Sequence, residues 1–147
     1  MDDIQLQFGR EYLQTTQIWE LLRLAETLAD SDTISPMDAM EQLRCVSASE
    51  VLAGALYACL TCHGDFDTAI ITAVNHSGRS AAVGAVTGAL LGAKLGENAL
   101  PEFYLECLEP TAILRELADY LAQGCPMERS SLLYDADWDR KYRHAGV

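Results

Sequence analysis

Apolar positions along this chain recur three and four apart for most of its length, the pattern of α-helices with one buried face. Between Glu11 and Asp30, Tyr12, Ile18, Leu21, Leu22, Ala25, Leu28 and Ala29 fall on one stripe with Arg23 and Glu26 opposite, which predicts an amphipathic helix. Ser35-Pro36 reads as an N-cap followed by proline in the first turn, opening a short helix through Met37, Met40 and Leu43. Ser47-Ala48-Ser49-Glu50 has capping-box spacing and starts a helix to about Thr61. That helix is apolar nearly all round from Val51 to Cys62, so most of its surface should be buried. Gly64 stops it, and Asp65 can cap a further helix that turns Phe66, Ala69, Ile70 and Val74 inward.

From Asn75 to Gly96 the pattern changes to NHSGRSAAVGAVTGALLGAKLG. Gly84, Gly88, Gly92 and Gly96 are spaced four apart, and Ala81, Ala85, Ala89 and Ala93 occupy the adjoining row. Glycine costs about 1 kcal/mol relative to alanine inside a helix, so four on one stripe suggest compensation by close packing. The expectation is a central, fully buried helix from about Ser80 to Lys94, with its glycine row against other backbones. A seam between subunits is the alternative use of the same row.

Leu100-Pro101 then begins a helical turn bearing Phe103, Tyr104 and Leu105. Glu109-Pro110 interrupts the pattern, which restarts as Ala112 to Ala122 through Ile113, Leu114, Leu117, Tyr120 and Leu121, with Gly124 as the stop. Beyond Cys125 the periodicity fails, leaving a polar tail over 125–147 with Trp138 and Tyr142 as anchors. No stretch alternates with period two, so the predicted class is all-α, a compact orthogonal bundle of several helices forming one domain over 1–147.

The composition, 50% hydrophobic and 22% charged over 147 residues, is that of a globular protein. A formal charge of -12, from 22 acidic and 10 basic residues, argues against binding nucleic acid or an anionic membrane surface. The N-terminus MDDIQLQFGREY lacks the basic and apolar regions of a secretory signal, and the uncharged run from Ser80 to Ala93 is shorter than the roughly 20 residues of a membrane span. A cytoplasmic location is expected, and with it five cysteines that are buried thiols rather than a disulfide framework.

Two clusters carry possible chemistry. Cys59-Leu60-Thr61-Cys62-His63 matches the c-type haem attachment pattern, and the same pair could serve zinc or redox chemistry. Against these stands a helix end with two small thiols facing a core, where a histidine suits the dipole. No export signal and no second Cys/His pair are present, so neither covalent haem nor zinc is expected. The second cluster is the corner Asn75, His76, Ser77 and Gly78 with Arg79 and Ser80. It reads either as a ligand pocket presenting polar groups to phosphate or ribose, or as a cap in which Ser77 satisfies helix amides while Asn75 and His76 bond nearby backbone. Arg79 opposes the positive end of the helix dipole by roughly 0.3–1 kcal/mol, which an anionic ligand or an acidic side chain would offset.

Asn75-His76-Ser77-Gly78, the small-residue helix after it, the Leu95-Gly96 corner and Leu100-Pro101 together resemble the ADP-ribosylglycohydrolase family, over roughly Val46 to Gly124. The resemblance implies an all-helical hydrolase that removes ADP-ribose using a pair of Mg²⁺ ions. It also implies an acidic-Ser/Thr-acidic-Ser/Thr run after the Ser-Gly pair, where this chain has Arg79, Ser80, Ala81 and Ala82. Mg²⁺ needs oxygen ligands, and arginine offers none. Nothing from Met1 to Cys45 matches the family's other metal motif, a Thr-Asp-Asp-type run. The chain thus resembles the C-terminal half of a family member with its metal site dismantled, which implies no metal, no catalytic residue, and a candidate pocket for an ADP-ribose-like ligand at Asn75, His76, Ser77, Gly78, Arg79 and Ser80. A homodimer or a separately encoded N-terminal half is the implied partner. Two functions are open: a catalytically silent binding or interaction module, and one part of a split metal-dependent hydrolase.

Overall fold

A computed structural model of the chain describes residues 16–106, 108–122, 132 and 134–143. Tyr12, Gly124 and the side chains of Trp138 and Tyr142 lie outside the described part. Its helices are α1 (Thr16–Ala29), α2 (Pro36–Leu43), α3 (Ala48–Thr61), α4 (Phe66–Val74), α5 (Ser80–Leu95), α6 (Glu102–Glu106), α7 (Thr111–Ala122) and α8 (Ala136–Arg143), with a 3-10 turn at Glu97–Ala99. No strand occurs among the described residues, and the fold is all-α. The chain divides into two compact units, Met1–Pro101 and Glu102–Val147.

Local chemistry starts α2 and α3 where the sequence places the signals, whereas Asp65 precedes α4 without a side-chain capping bond. The Ser35 hydroxyl accepts from the Asp38 amide, with Pro36 in the first turn of α2. At α3 the capping box is complete: the Glu50 amide donates to Ser47, and the Glu50 carboxylate takes the Ser47 amide at 2.7 Å and the Val46 amide at 3.1 Å. These bonds satisfy donors that a helix start otherwise leaves open.

The most buried helix is α3, which packs against α1, α5, α4 and α2. Val51, Ala53, Ala55, Tyr57 and Ala58 from α3 join Leu22, Ala25 and Leu28 from α1, Ala39, Met40 and Leu43 from α2, and Cys45, Ala73 and Val83 in one core. Gly54 permits the closest approach, since a Cβ there would lie 2.5 Å from the Cys45 sulfur and 3.3 Å from the Met40 methyl.

Here α5 departs from expectation. Only Val83, Thr87 and Leu91 are buried, all on the one row that meets α3. The Ala81, Ala85, Ala89 and Ala93 row is exposed. The glycine row turns toward α4 and meets side chains rather than backbone: a Cβ at Gly84 would lie 3.0 Å from Val74 and one at Gly88 3.9 Å from Ile70, while one at Gly92 would meet nothing within 4 Å. The most buried helix is therefore α3 and not α5. Both helices are apolar on several faces, and period alone does not say which of them the neighbours surround.

In the second unit, Thr111 donates to the carbonyls of Leu105 and Leu108 and so ties α6 to the start of α7. Lys141 pairs with Glu116, and the Tyr120 hydroxyl donates to Asp135. The helix α8 lies within the stretch expected to be a polar tail. Its acidic first turn, with Asp137 and Asp139, suits a helix N-terminus even though charged residues dominate it.

Candidate functional site

The corner between α4 and α5 is built by hydrogen bonds from its own residues. The Asn75 side-chain amide donates to the Ile71 carbonyl at 2.7 Å, occupying an acceptor at the end of α4. The Gly78 amide donates to His76 Nδ1 at 3.0 Å, so that nitrogen is an acceptor and Nε2 carries the proton it shares with the Ala73 carbonyl at 3.0 Å. Both nitrogens of His76 are thus engaged by backbone, as the capping reading of Asn75 and His76 requires.

Ser77 does something else. Its amide donates to Glu41 Oε1 at 2.7 Å and its hydroxyl donates to Glu41 Oε2, so one carboxylate from α2 receives both donors. The Ser77 hydroxyl, then its amide, hold the Glu41 carboxyl below its ordinary value of 4.5, with His76 nearby adding to the effect and Asp38 opposing it. The N-cap of α5 is Arg79, and its side chain makes no capping bond. Ser77 is therefore a tie to α2 and not the cap of α5.

The corner leans on a strained connection. Arg44 and Cys45 have φ of 63° and 55°, a region that residues with a Cβ seldom adopt, and the Cys45 amide reaches back to the Leu43 carbonyl at 2.7 Å. The Arg79 amide donates to the Cys45 carbonyl at 2.9 Å. Residue 78 has to be glycine, because a Cβ there would lie 2.4 Å from the Arg44 carbonyl oxygen and 2.8 Å from that of Cys45. Arg44 also stands 3.7 Å from Glu50, so the corner, the 44–45 connection and the α3 capping box form one polar assembly.

Arg79 is exposed, and its guanidinium makes no ion pair among the described residues. Ser80 is half-buried and Ala81 exposed. Among the described residues no group of three or more His, Cys, Asp or Glu side chains could hold a metal ion. At the corner, Arg79, Ser80 and Ala81 offer one hydroxyl and no carboxylate, so these residues do not fit Mg²⁺.

The other sequence cluster divides. Cys62 is buried beside Ala69 and Leu91, and its thiol donates to the Cys59 carbonyl at 3.1 Å. Burial, with Cys62 adding to it, pushes the Cys59 thiol up to about 11, which leaves little reactive thiolate at neutral pH. His63 instead sits on an open cleft of about 320 Å³ with Glu26, Ala29, Asp30 and Leu60. The structure thus separates His63 from the thiols. Glu41 and the 44–45 connection were invisible in the sequence as parts of the site: a glutamate on a short helix carries no sign that it reaches a serine 36 positions on.

Comparison with known proteins identifies the family. The sequence model of the family described as ADP-ribosylglycohydrolase matches residues 3–131, farther in both directions than the stretch from Val46 to Gly124. A curated protein of Archaeoglobus fulgidus, described only as uncharacterized, is 35% identical over 115 residues, covering 76% of this chain and 36% of the relative. The chain therefore spans about a third of the length of that relative. No solved structure matches.

Proposed function

The chain belongs to the ADP-ribosylglycohydrolase family, and from that membership we propose that it is a catalytically silent domain of the family, acting as a binding or interaction module in the cytoplasm. The observation that carries this reading is the exposed Arg79, without an ion pair among the described residues, with Ala81 beside it, at the positions where the resemblance implies metal carboxylates. A metal hydrolase draws its nucleophile and much of its transition-state stabilisation from the ion. A fixed guanidinium repels that ion and binds anionic oxygen instead. The ligand that suits the corner is a phosphate-bearing molecule of the ADP-ribose kind.

The decisive experiment is calorimetry with Mg²⁺ alongside release of ADP-ribose from an arginine-modified substrate. Neither tight Mg²⁺ binding nor turnover is expected. Micromolar metal affinity, or metal-dependent turnover lost in Ser80→Ala, would sink the reading. The double change Arg79→Asp with Ala81→Asp should create divalent-ion binding without turnover.

A second reading, a metal-dependent hydrolase completed by further polypeptide, has one observation in its favour: the outer face of α5 is exposed and wholly apolar along Ala81, Ala85, Ala89 and Ala93. Such a surface suits a covering helix. Turnover appearing only after a second polypeptide is added would support it.

A further inference from the structure

The two donors of Ser77 converge on one carboxylate, and each has a single hydrogen to give. An amide and a hydroxyl aimed at the same anionic group are how a backbone corner receives a phosphate, and here the group received is the protein's own Glu41. Two positions on, Arg79 presents a guanidinium without an ion pair among the described residues. The corner thus combines a contact to a carboxylate with an exposed cation.

We propose that Glu41 is a built-in occupant of this corner: its carboxylate fills the place where Ser77 would receive a ligand phosphate, and the corner admits such a ligand only when Glu41 is displaced. The proposal rests on the reading of Asn75 to Ser80 as a ligand pocket and adds its regulation. Displacement is a side-chain rotation, because Glu41 and Ser77 are both exposed and neither is packed into the core. The groups that face the Glu41 carboxylate are Asp38 on its own helix and His76 on the corner, with the buried Cys45 thiol on the connection that follows. Asp38 pushes the carboxylate toward release, and the Ser77 amide and hydroxyl hold it in place.

The test uses the full chain with sulfate as the probe, followed by calorimetry and by the Ser77 and Gly78 amide resonances. Glu41→Ala should bind sulfate at least about tenfold more tightly than the wild-type chain, and Glu41→Ala with Ser77→Ala should lose the gain. Equal binding by wild type and Glu41→Ala overturns the occupant while leaving the pocket in place. No binding by either overturns the pocket as well. Should Glu41→Ala fail to fold, the wild-type chain is titrated with sulfate from about pH 7 to about pH 3, a range that runs well below the ordinary carboxylate value and in which sulfate keeps its charge. Affinity should rise toward the acid end more steeply than in Ser77→Ala. Parallel curves for the two overturn the proposal.

Discussion

Gly78 lies so close over Arg44 that a methyl group on its Cα would stand 2.4 Å from the Arg44 carbonyl oxygen. The obstacle is backbone, itself fixed by two consecutive left-handed residues, so it cannot give way as a side chain could. Gly78→Ala should therefore destabilise the chain by about 1–3 kcal/mol. Urea unfolding gives the number. An unchanged midpoint would mean that the corner does not rest on the 44–45 connection.

Thr87 is fully buried, and its hydroxyl has no hydrogen-bond partner among the described residues. Valine has nearly the same shape and nothing to satisfy, and a buried orphan polar group costs about 1–3 kcal/mol. Thr87→Val should raise the thermal midpoint. The weak contact from the Cys59 thiol to the Thr87 carbonyl involves only backbone at 87 and should survive the change.

Acid should unfold the protein partly through Glu50. The Ser47 amide, with that of Val46, the Ser47 side chain and the Arg44 charge, holds its carboxyl below the ordinary value of 4.5, against a smaller opposing effect of burial. A carboxyl depressed in the folded state binds its proton more readily when unfolded, so its stabilisation is present above about 4.5 and is lost as pH falls through the lower folded value. Glu50→Gln should flatten the dependence of stability on pH below about pH 5, measured by urea titration at several pH values. A slope unchanged from wild type would remove Glu50 from the acid transition.

The glycine row of α5 yields opposite outcomes at different turns. A Cβ at Gly92 meets nothing within 4 Å, so Gly92→Ala gains helix propensity of about 1 kcal/mol without a clash. Gly54→Ala, by contrast, drives a methyl into the buried Cys45 sulfur and should cost about 1–3 kcal/mol in net stability. Calorimetric melting of the two variants should move the midpoint in opposite directions.

Much of the fold could be read from the sequence because its signals are local. Ser35-Pro36 and Ser47 with Glu50 act within one helical turn, and both helices start where those residues place them. The Gly/Ala helix was correctly bounded but assigned the wrong surroundings, because small residues permit close packing without requiring it. At the corner, Asn75 and His76 bond to backbone within a few residues and were readable as caps. Ser77 was not, since its partner arrives from α2 through tertiary folding. The helix α8 escaped notice because charged residues dominate it and few apolar positions mark a buried face.

The exposed alanine row of α5 also bears on behaviour in solution. The chain carries a formal charge of -12, yet Ser80 to Ala93 contains no charged residue. Long-range repulsion should hold copies apart in dilute buffer, and salt shortens its reach to about 8 Å near physiological ionic strength. Once screened, copies can approach through this helical face, which has no charge of its own to screen. Self-association, followed by light scattering, should therefore strengthen as salt is added, and Ala85→Glu should abolish that response.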